Sequence, residues 1–192
     1  GLGGASTDAA AALVAANLGW RLGWSRAELA GIAAELGSDI PFFLGSGAAL
    51  CRGRGERIEP VSLPASLPLV VVRPPEGLST AQVYGRCRPA EDRAQAEPLV
   101  AALQRGRLDV AARHMFNRLQ AAAEQLTPWV GRLRSAFSRL DCLGHQMSGS
   151  GTSYFGICRH ARHARRVAAR LRSERLGFVA VASVIATRHH TP

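Results

Sequence analysis

The stretch CLGHQMSGSGTSYFGIC, residues 142–158, sets two short apolar runs on either side of a turn built from glycines and hydroxyls. Runs of this length flanking a glycine turn predict a hairpin, with strands over 142–147 and 153–158 around a loop at 148–152. Downstream, 160–175 has helical spacing and 178–186 reads as a further strand. Strand, loop, strand, helix, strand predicts an α+β sandwich rather than a parallel doubly wound sheet. Upstream, 69–73 (LVVVR) reads as a buried strand and 74–77 (PPEG) as a turn. Ser79-Thr80-Ala81-Gln82 has the spacing of a capping box opening a short helix. Helices are expected over 94–104, 108–125 and 128–140.

Pro60, Pro64 and Pro68 mark the best domain boundary, dividing the chain into 1–62 and 63–192. In the first part, glycines at 1, 3 and 4 open an alanine-rich helix over 4–16, with Ala10, Leu13 and Val14 at helical spacing. Ser25 and Glu28 form a capping box for a second helix, whose stripe is Leu29, Ile32, Ala33 and Leu36. Gly37 is expected as its left-handed stop. A hairpin follows, 48–52 and 57–61, around Gly53-Arg54-Gly55-Glu56.

Composition bounds the function. Of 192 residues, 47% are hydrophobic and 20% charged, a balance that supports a packed core. No apolar run approaches the roughly 18 to 20 residues of a membrane span. No secretory leader pattern is visible, so the expected location is cytoplasmic. The cysteines (Cys51, Cys87, Cys142, Cys158) show no C-x-x-C pair and are expected as reduced core residues. All 24 basic residues counted as lysine or arginine are arginine. That excludes any chemistry needing a lysine within these residues, such as a Walker A P-loop or a Schiff base. The net charge of +10, with arginines at 159, 162, 165, 166, 170, 172 and 175, raises a nucleic-acid-binding alternative. With 33 alanines and no lysine, a solvated arginine face from a compositional bias accounts for the same charge.

Three constellations can carry chemistry. Gly1, Leu2, Gly3, Gly4, Ala5, Ser6 and Thr7 run into a helix, which aims backbone amides and the positive dipole end at an anion. The Ser6 and Thr7 hydroxyls can add contacts to a phosphate oxygen or Mg²⁺, while a plain helix cap explains the same residues. Asp39, in Gly-Ser-Asp-Ile-Pro, is either a partly desolvated base or an ordinary turn aspartate. The turn Gly149, Ser150, Gly151, Thr152 is either a second anion-binding lip or a simple glycine hairpin. His160 and His163, one helical turn apart, have no converging ligand in the sequence and predict no metal site.

GLGGASTDAA, GSDIPFF, PPEGLSTAQVY and MSGSGTSYFGI, taken in this order, resemble the GHMP kinases over residues 1 to about 186. The turn GRGERIEP and the segment Phe116-Asn117-Arg118-Leu119-Gln120 resemble family features too. The resemblance implies a partial ribosomal-protein-like N-terminal α+β domain followed by a ferredoxin-like C-terminal domain. It further implies an enzyme that uses ATP and Mg²⁺ to phosphorylate a hydroxyl of a small cytidyl diphosphate substrate in the non-mevalonate isoprenoid pathway. Other acceptors of the family (homoserine, mevalonate or a sugar) are the alternative, and neither nucleic acid nor membrane is implied as a partner. The implied nucleotide contacts are Gly1 through Thr7 in the loop and Gly149, Ser150 and Gly151 in the later turn, with Ser6 toward the metal. Asp39 matches the catalytic aspartate, and Thr80 and Tyr84 match positions near the cytidine. The loop departs from the family in reading Ala5-Ser6-Thr7 where glycine and two serines are commoner. Because the sequence opens on Gly1 inside the glycine cluster, it reads as part of a longer protein. The 192 residues alone are expected to be inactive or barely active, with an unpaired sheet edge.

Overall fold

The computed structural model describes residues 1–45, 47–55, 57–63, 66–88 and 95–184. They form two compact units, one comprising Gly3–Ser62 and the other Gly1–Leu2 with the chain from Leu63 onward.

The Gly3–Ser62 unit contains helices α1 (Gly4–Gly19), α2 (Arg26–Leu36) and α3 (Ile40–Phe43) and the antiparallel strands β1 (Ala48–Arg52) and β2 (Arg57–Val61). α1 runs three residues past the expected 4–16, through Asn17, Leu18 and Gly19. Only Ala10 of that helix is fully buried, and Val14 and Leu18 face outward. The core is small: Ala10, Leu29, Ala33, Ile40 and Leu44, with Leu13 and Phe43 packed against it. The Ser25 capping box is present, with the Ser25 hydroxyl accepting from Glu28 N–H and Glu28 Oε2 accepting from Ser25 N–H at 2.7 Å. Gly37 ends α2 with φ 175°, an extended residue and not the left-handed stop expected. Its N–H still closes the helix onto Ala33 O at 3.0 Å.

Gly3, by contrast, is left-handed at φ 70°, and the ring of Phe43 occupies the space a Cβ would need. Phe43 is the last residue of α3, so this one contact fixes the start of α1 against the helix that follows Asp39.

The second unit is built on β3 (Leu67–Arg73), longer than the expected 69–73. Then come α4 (Thr80–Arg86), α5 (Glu97–Gln104), α6 (Leu108–Arg113), α7 (Leu119–Leu126) and α8 (Pro128–Ser138). The chain closes with β4 (Gly144–Met147), β5 (Tyr154–Ile157), α9 (Ala161–Ser173) and β6 (Phe178–Val184). Residues 185 and 186 of the expected strand, and 94 of the expected helix, lie outside the described residues. The sheet is antiparallel throughout in the order β4-β5-β3-β6. Numbered within the unit that is 2-3-1-4, with helices in the first and last crossovers, which is the ferredoxin-like arrangement expected. Alternation on β3 buries Pro68, Val70 and Val72. The cluster that Val70 and Val72 join includes Met147, Tyr154 and Val179 of the sheet, Val130, Leu133 and Phe137 of α8, and Val167 and Leu171 of α9.

The expected helix over 108–125 is instead two helices, broken where Asn117 turns out of the helix to bond elsewhere. Ser79 makes no side-chain cap on α4, contrary to the capping box expected, and the next hydroxyl, that of Thr80, is bonded to Ser150. Among the cysteines, Cys158 is buried and Cys142 and Cys87 are half-buried, but Cys51 is exposed, contrary to a core role.

The arginine-rich helix is partly tied down. Asp141 accepts from Arg166 Nη2 at 2.7 Å, Arg159 Nη1 at 3.1 Å and His163 Nε2 at 3.0 Å, and Arg172 donates to Val179 O. His163 is therefore a buried structural partner of Asp141, and no cluster of metal-ligating side chains exists among the described residues.

Two outcomes test this packing. Gly3→Ala forces a strained φ and a collision with Phe43, and is expected to destabilise the Gly3–Ser62 unit by about 1–3 kcal/mol in denaturant titrations. The hydrogen bond from His163, then the charges of His163 and Arg166, hold the Asp141 carboxyl well below the usual carboxylate range. A depressed folded pKa stabilises above the unfolded value and is lost as pH falls through the folded one. Asp141→Asn is thus expected to lower the melting temperature slightly at pH 7. The gap from the parent should narrow steadily below about pH 4.

Candidate active site

The glycine-rich opening delivers α1 with its amino end unblocked. Gly3 is the N-cap and has no side chain, and no acidic residue stands in the first turn. The first intrahelical backbone bond is Thr7 N–H to Gly3 O at 2.9 Å. The N–H groups of Gly4, Ala5 and Ser6 thus have no acceptor within the helix. With the helix dipole they make a donor set suited to an anion. Nothing lies within 4 Å of where a Gly4 Cβ would be, so backbone approach there is open.

The two hydroxyls of this turn differ. Thr7 Oγ1 donates to Gly3 O at 2.9 Å, so its proton is spent within the helix. Ser6 has no hydrogen-bond partner among the described residues and is the hydroxyl left to meet a ligand. Such a back-bond to the carbonyl four residues earlier is common for threonine, and sequence spacing does not announce it.

Asp39 stands in the same unit, as N-cap of α3, and its side chain caps nothing. It is exposed, which corrects the expectation of a partly desolvated carboxylate. Ser38 Oγ donates to Asp39 Oδ1 at 3.3 Å. The hairpin turn comes close behind: a Cβ on Gly55, whose φ is 117°, would lie 2.9 Å from Ser38 O and 3.6 Å from Asp39 Oδ1. Burial, and then the charge of Asp39, push the nearby Cys51 thiol upward. The carboxylate itself makes no salt bridge among the described residues, so it is available to a ligand.

In the other unit, the loop at the tip of β4–β5 gathers Ser150, Thr80 and Gly1. Gly149 and Gly151 are left-handed at φ 55° and 90°, and a Cβ on Gly151 would sit 2.7 Å from Met147 Sδ. Ser150 Oγ and Thr80 Oγ1 share a hydrogen bond of 2.9 Å, joining two segments 70 residues apart. Thr152 Oγ1 donates to Glu76 O at 2.6 Å, and Ser148 Oγ donates to Gly1 O. Gly1 and Leu2 therefore lie with this loop, while the chain from Gly3 belongs to the first unit. One turn along α4 from Thr80, Tyr84 presents its ring to solvent at 61% exposure.

Sequence reading attached no role to several residues that hold these features. Phe43 shows in the sequence as half of the aromatic pair in GSDIPFF and Gly55 as part of the turn GRGERIEP, with no packing role marked for either. Asn117 donates to Met147 O and Gly149 O, holding the loop from the start of α7. No helix among the described residues is long and apolar enough to cross a membrane.

Comparison with known proteins identifies the fold. Residues 1–47 match the family model described as GHMP kinases N terminal domain, and residues 99–176 the one described as GHMP kinases C terminal. A curated relative from Pelotomaculum thermopropionicum, 4-diphosphocytidyl-2-C-methyl-D-erythritol kinase, is 43% identical over 174 residues. The match covers 90% of this chain and 61% of that relative, so the chain spans only part of the relative's length. A crystal structure of 4-(cytidine 5'-diphospho)-2C-methyl-D-erythritol kinase is similar with a TM-score of 0.78 at 34% identity, covering 94% of this chain and 65% of that one. Homoserine kinase from Cytophaga hutchinsonii has the same fold, with a TM-score of 0.74 at 19% identity over 92% of this chain and 63% of its own. The chain belongs to the GHMP kinase family.

Proposed function

We propose that these residues form part of an enzyme that transfers the γ-phosphoryl group of ATP to a hydroxyl of 4-diphosphocytidyl-2-C-methyl-D-erythritol, in the non-mevalonate route to isoprenoid precursors. The observation that carries this reading is the packing of Phe43 on Gly3, which joins the open amino end of α1 and the Asp39 turn within one unit. The relatives at 34–43% identity, named for that same cytidyl substrate, support the choice of acceptor.

Phosphoryl transfer asks a protein mainly for position and charge stabilisation. The amides of Gly4, Ala5 and Ser6 and the dipole of α1 would receive the phosphates, with Gly1 and Leu2 shaping the approach to that turn. Gly149, Ser150 and Gly151 would supply the second phosphate lip. Asp39 would accept the proton of the attacking hydroxyl or hold that hydroxyl in line. Thr80 would sit at the substrate's cytidyl end and Tyr84 would stack on the base, where stacking is worth roughly 1–3 kcal/mol.

One free protein hydroxyl, Ser6, beside a phosphate seat fits Mg²⁺, which favours phosphate and water oxygens over an all-protein cage. Bound there, the ion would neutralise charge on the transferring phosphoryl group.

In the intact protein carrying these residues, Asp39→Asn is expected to cut turnover of ATP and the cytidyl substrate by about 10²–10⁴-fold. Affinity for ATP should be retained. Turnover by that variant at the parent rate contradicts the role of Asp39. Transfer to homoserine or mevalonate in place of the cytidyl substrate overturns the acceptor.

A further inference from the structure

Asn117 spends its whole side chain on two tasks. Its amide nitrogen donates to Met147 O at 2.8 Å and to Gly149 O at 2.9 Å, and its Oδ1 accepts from Leu119 N–H at 3.0 Å. One residue thereby caps the start of α7 and grips two carbonyls of the loop. Gln120, one residue further into α7, accepts from Met147 N–H through Oε1 at 3.0 Å. Both polar groups of Met147 and the carbonyl of Gly149 are thus held from the same helical turn.

The consequence follows from peptide geometry. The carbonyl and N–H of one planar trans peptide point in opposite directions. Turning Gly149 O onto Asn117 directs the N–H of Ser150 away from α7. That N–H has no backbone acceptor among the described residues, and neither has that of Gly149, whereas Ser148 N–H donates to Ser153 O at 2.9 Å and Gly151 N–H to Ser148 O at 3.0 Å. The Ser150 amide is therefore open and turned away from α7, on a residue whose hydroxyl already meets Thr80.

We propose that Asn117 is a positioning residue that orients the Gly149–Ser150 peptide so that the Ser150 amide serves as a donor to a nucleotide phosphate oxygen. This rests on the nucleotide reading above and adds to it the residue that sets the loop's donor direction. Asp is the discriminating substitution. It keeps an acceptor for Leu119 N–H, and so the α7 cap, but puts a second acceptor against two carbonyls where Asn placed a donor.

The test uses Asn117→Asp in the intact protein, with a non-hydrolysable ATP analogue plus Mg²⁺ as one probe and cytidine 5'-diphosphate as the other. Loss of two hydrogen bonds is expected to weaken the ATP analogue by about tenfold or more, with cytidine diphosphate affinity falling much less, since among the described residues the loop touches that end only through the Thr80–Ser150 hydrogen bond. Hydrogen exchange at the Gly151 amide should accelerate by about tenfold while that at Leu119 stays as in the parent. A merely structural role for Asn117 would instead change Leu119 exchange and both affinities together. Parent-like Gly151 exchange, or parent-like affinity for the ATP analogue, overturns the proposal. If the parent itself fails to bind the analogue, the nucleotide reading falls, and with it the phosphate role of the Ser150 amide. Gly151 exchange then reports only whether Asn117 holds the loop. Should Asn117→Asp fail to melt cooperatively, Asn117→Ser, whose hydroxyl can still cap Leu119, is expected to show the same two changes.

Discussion

A glycine without room for a side chain governs the first unit. Gly3 is left-handed, and the ring of Phe43 lies where any other residue would put its Cβ. Two consequences come from this contact. The N-cap cannot supply a side-chain acceptor to the first amides of α1, so those donors stay open. In addition, α3, and with it the turn bearing Asp39, is fixed to that same helix start. In the function we propose, a phosphoryl group held at that helix start would meet an acceptor hydroxyl held by Asp39.

The second unit solves a different problem, holding an irregular glycine loop steady. The loop sits between β4 and β5, whose inner residues Met147 and Tyr154 are fully buried in the sheet–helix core. Tyr154 packs its ring 5.2 Å from Phe137 and shares a 3.0 Å hydrogen bond with His145, and burial pushes its hydroxyl up to about 12. A rigid hairpin with a polar tip is the usual division of labour between scaffold and functional loop. The tip is held by side chains from distant segments: Thr80, Asn117, and Thr152 reaching back to Glu76.

Much of this was legible in the residues, for identifiable reasons. The β4–β5 hairpin, the Ser25–Glu28 capping box and the β3 alternation are local patterns, and each formed where expected. What escaped depends on partners far along the chain. α6 ends at Arg113 and α7 starts at Leu119, and in the break Asn117 bonds across to residues 147 and 149, a partnership invisible in the apolar spacing of 108–125. Ser79 loses its cap at a helix start where Thr80 engages Ser150. Thr7 looked equivalent to Ser6 until its hydroxyl turned back to Gly3 O. Asp39 looked sheltered by Ile40, Pro41 and the two phenylalanines, yet those apolar groups turn inward and leave the carboxylate in water. The motifs marked the places where chemistry gathers, while the directions of individual donors became readable only in three dimensions.

The most direct measurement of the central claim is an amide chemical-shift titration of the intact protein with a non-hydrolysable ATP analogue and Mg²⁺. If the open end of α1 seats the phosphates, the Gly4, Ala5 and Ser6 amides will show the largest downfield shifts, saturating together with nucleotide binding. Saturable binding that leaves those three amides unmoved would contradict the account.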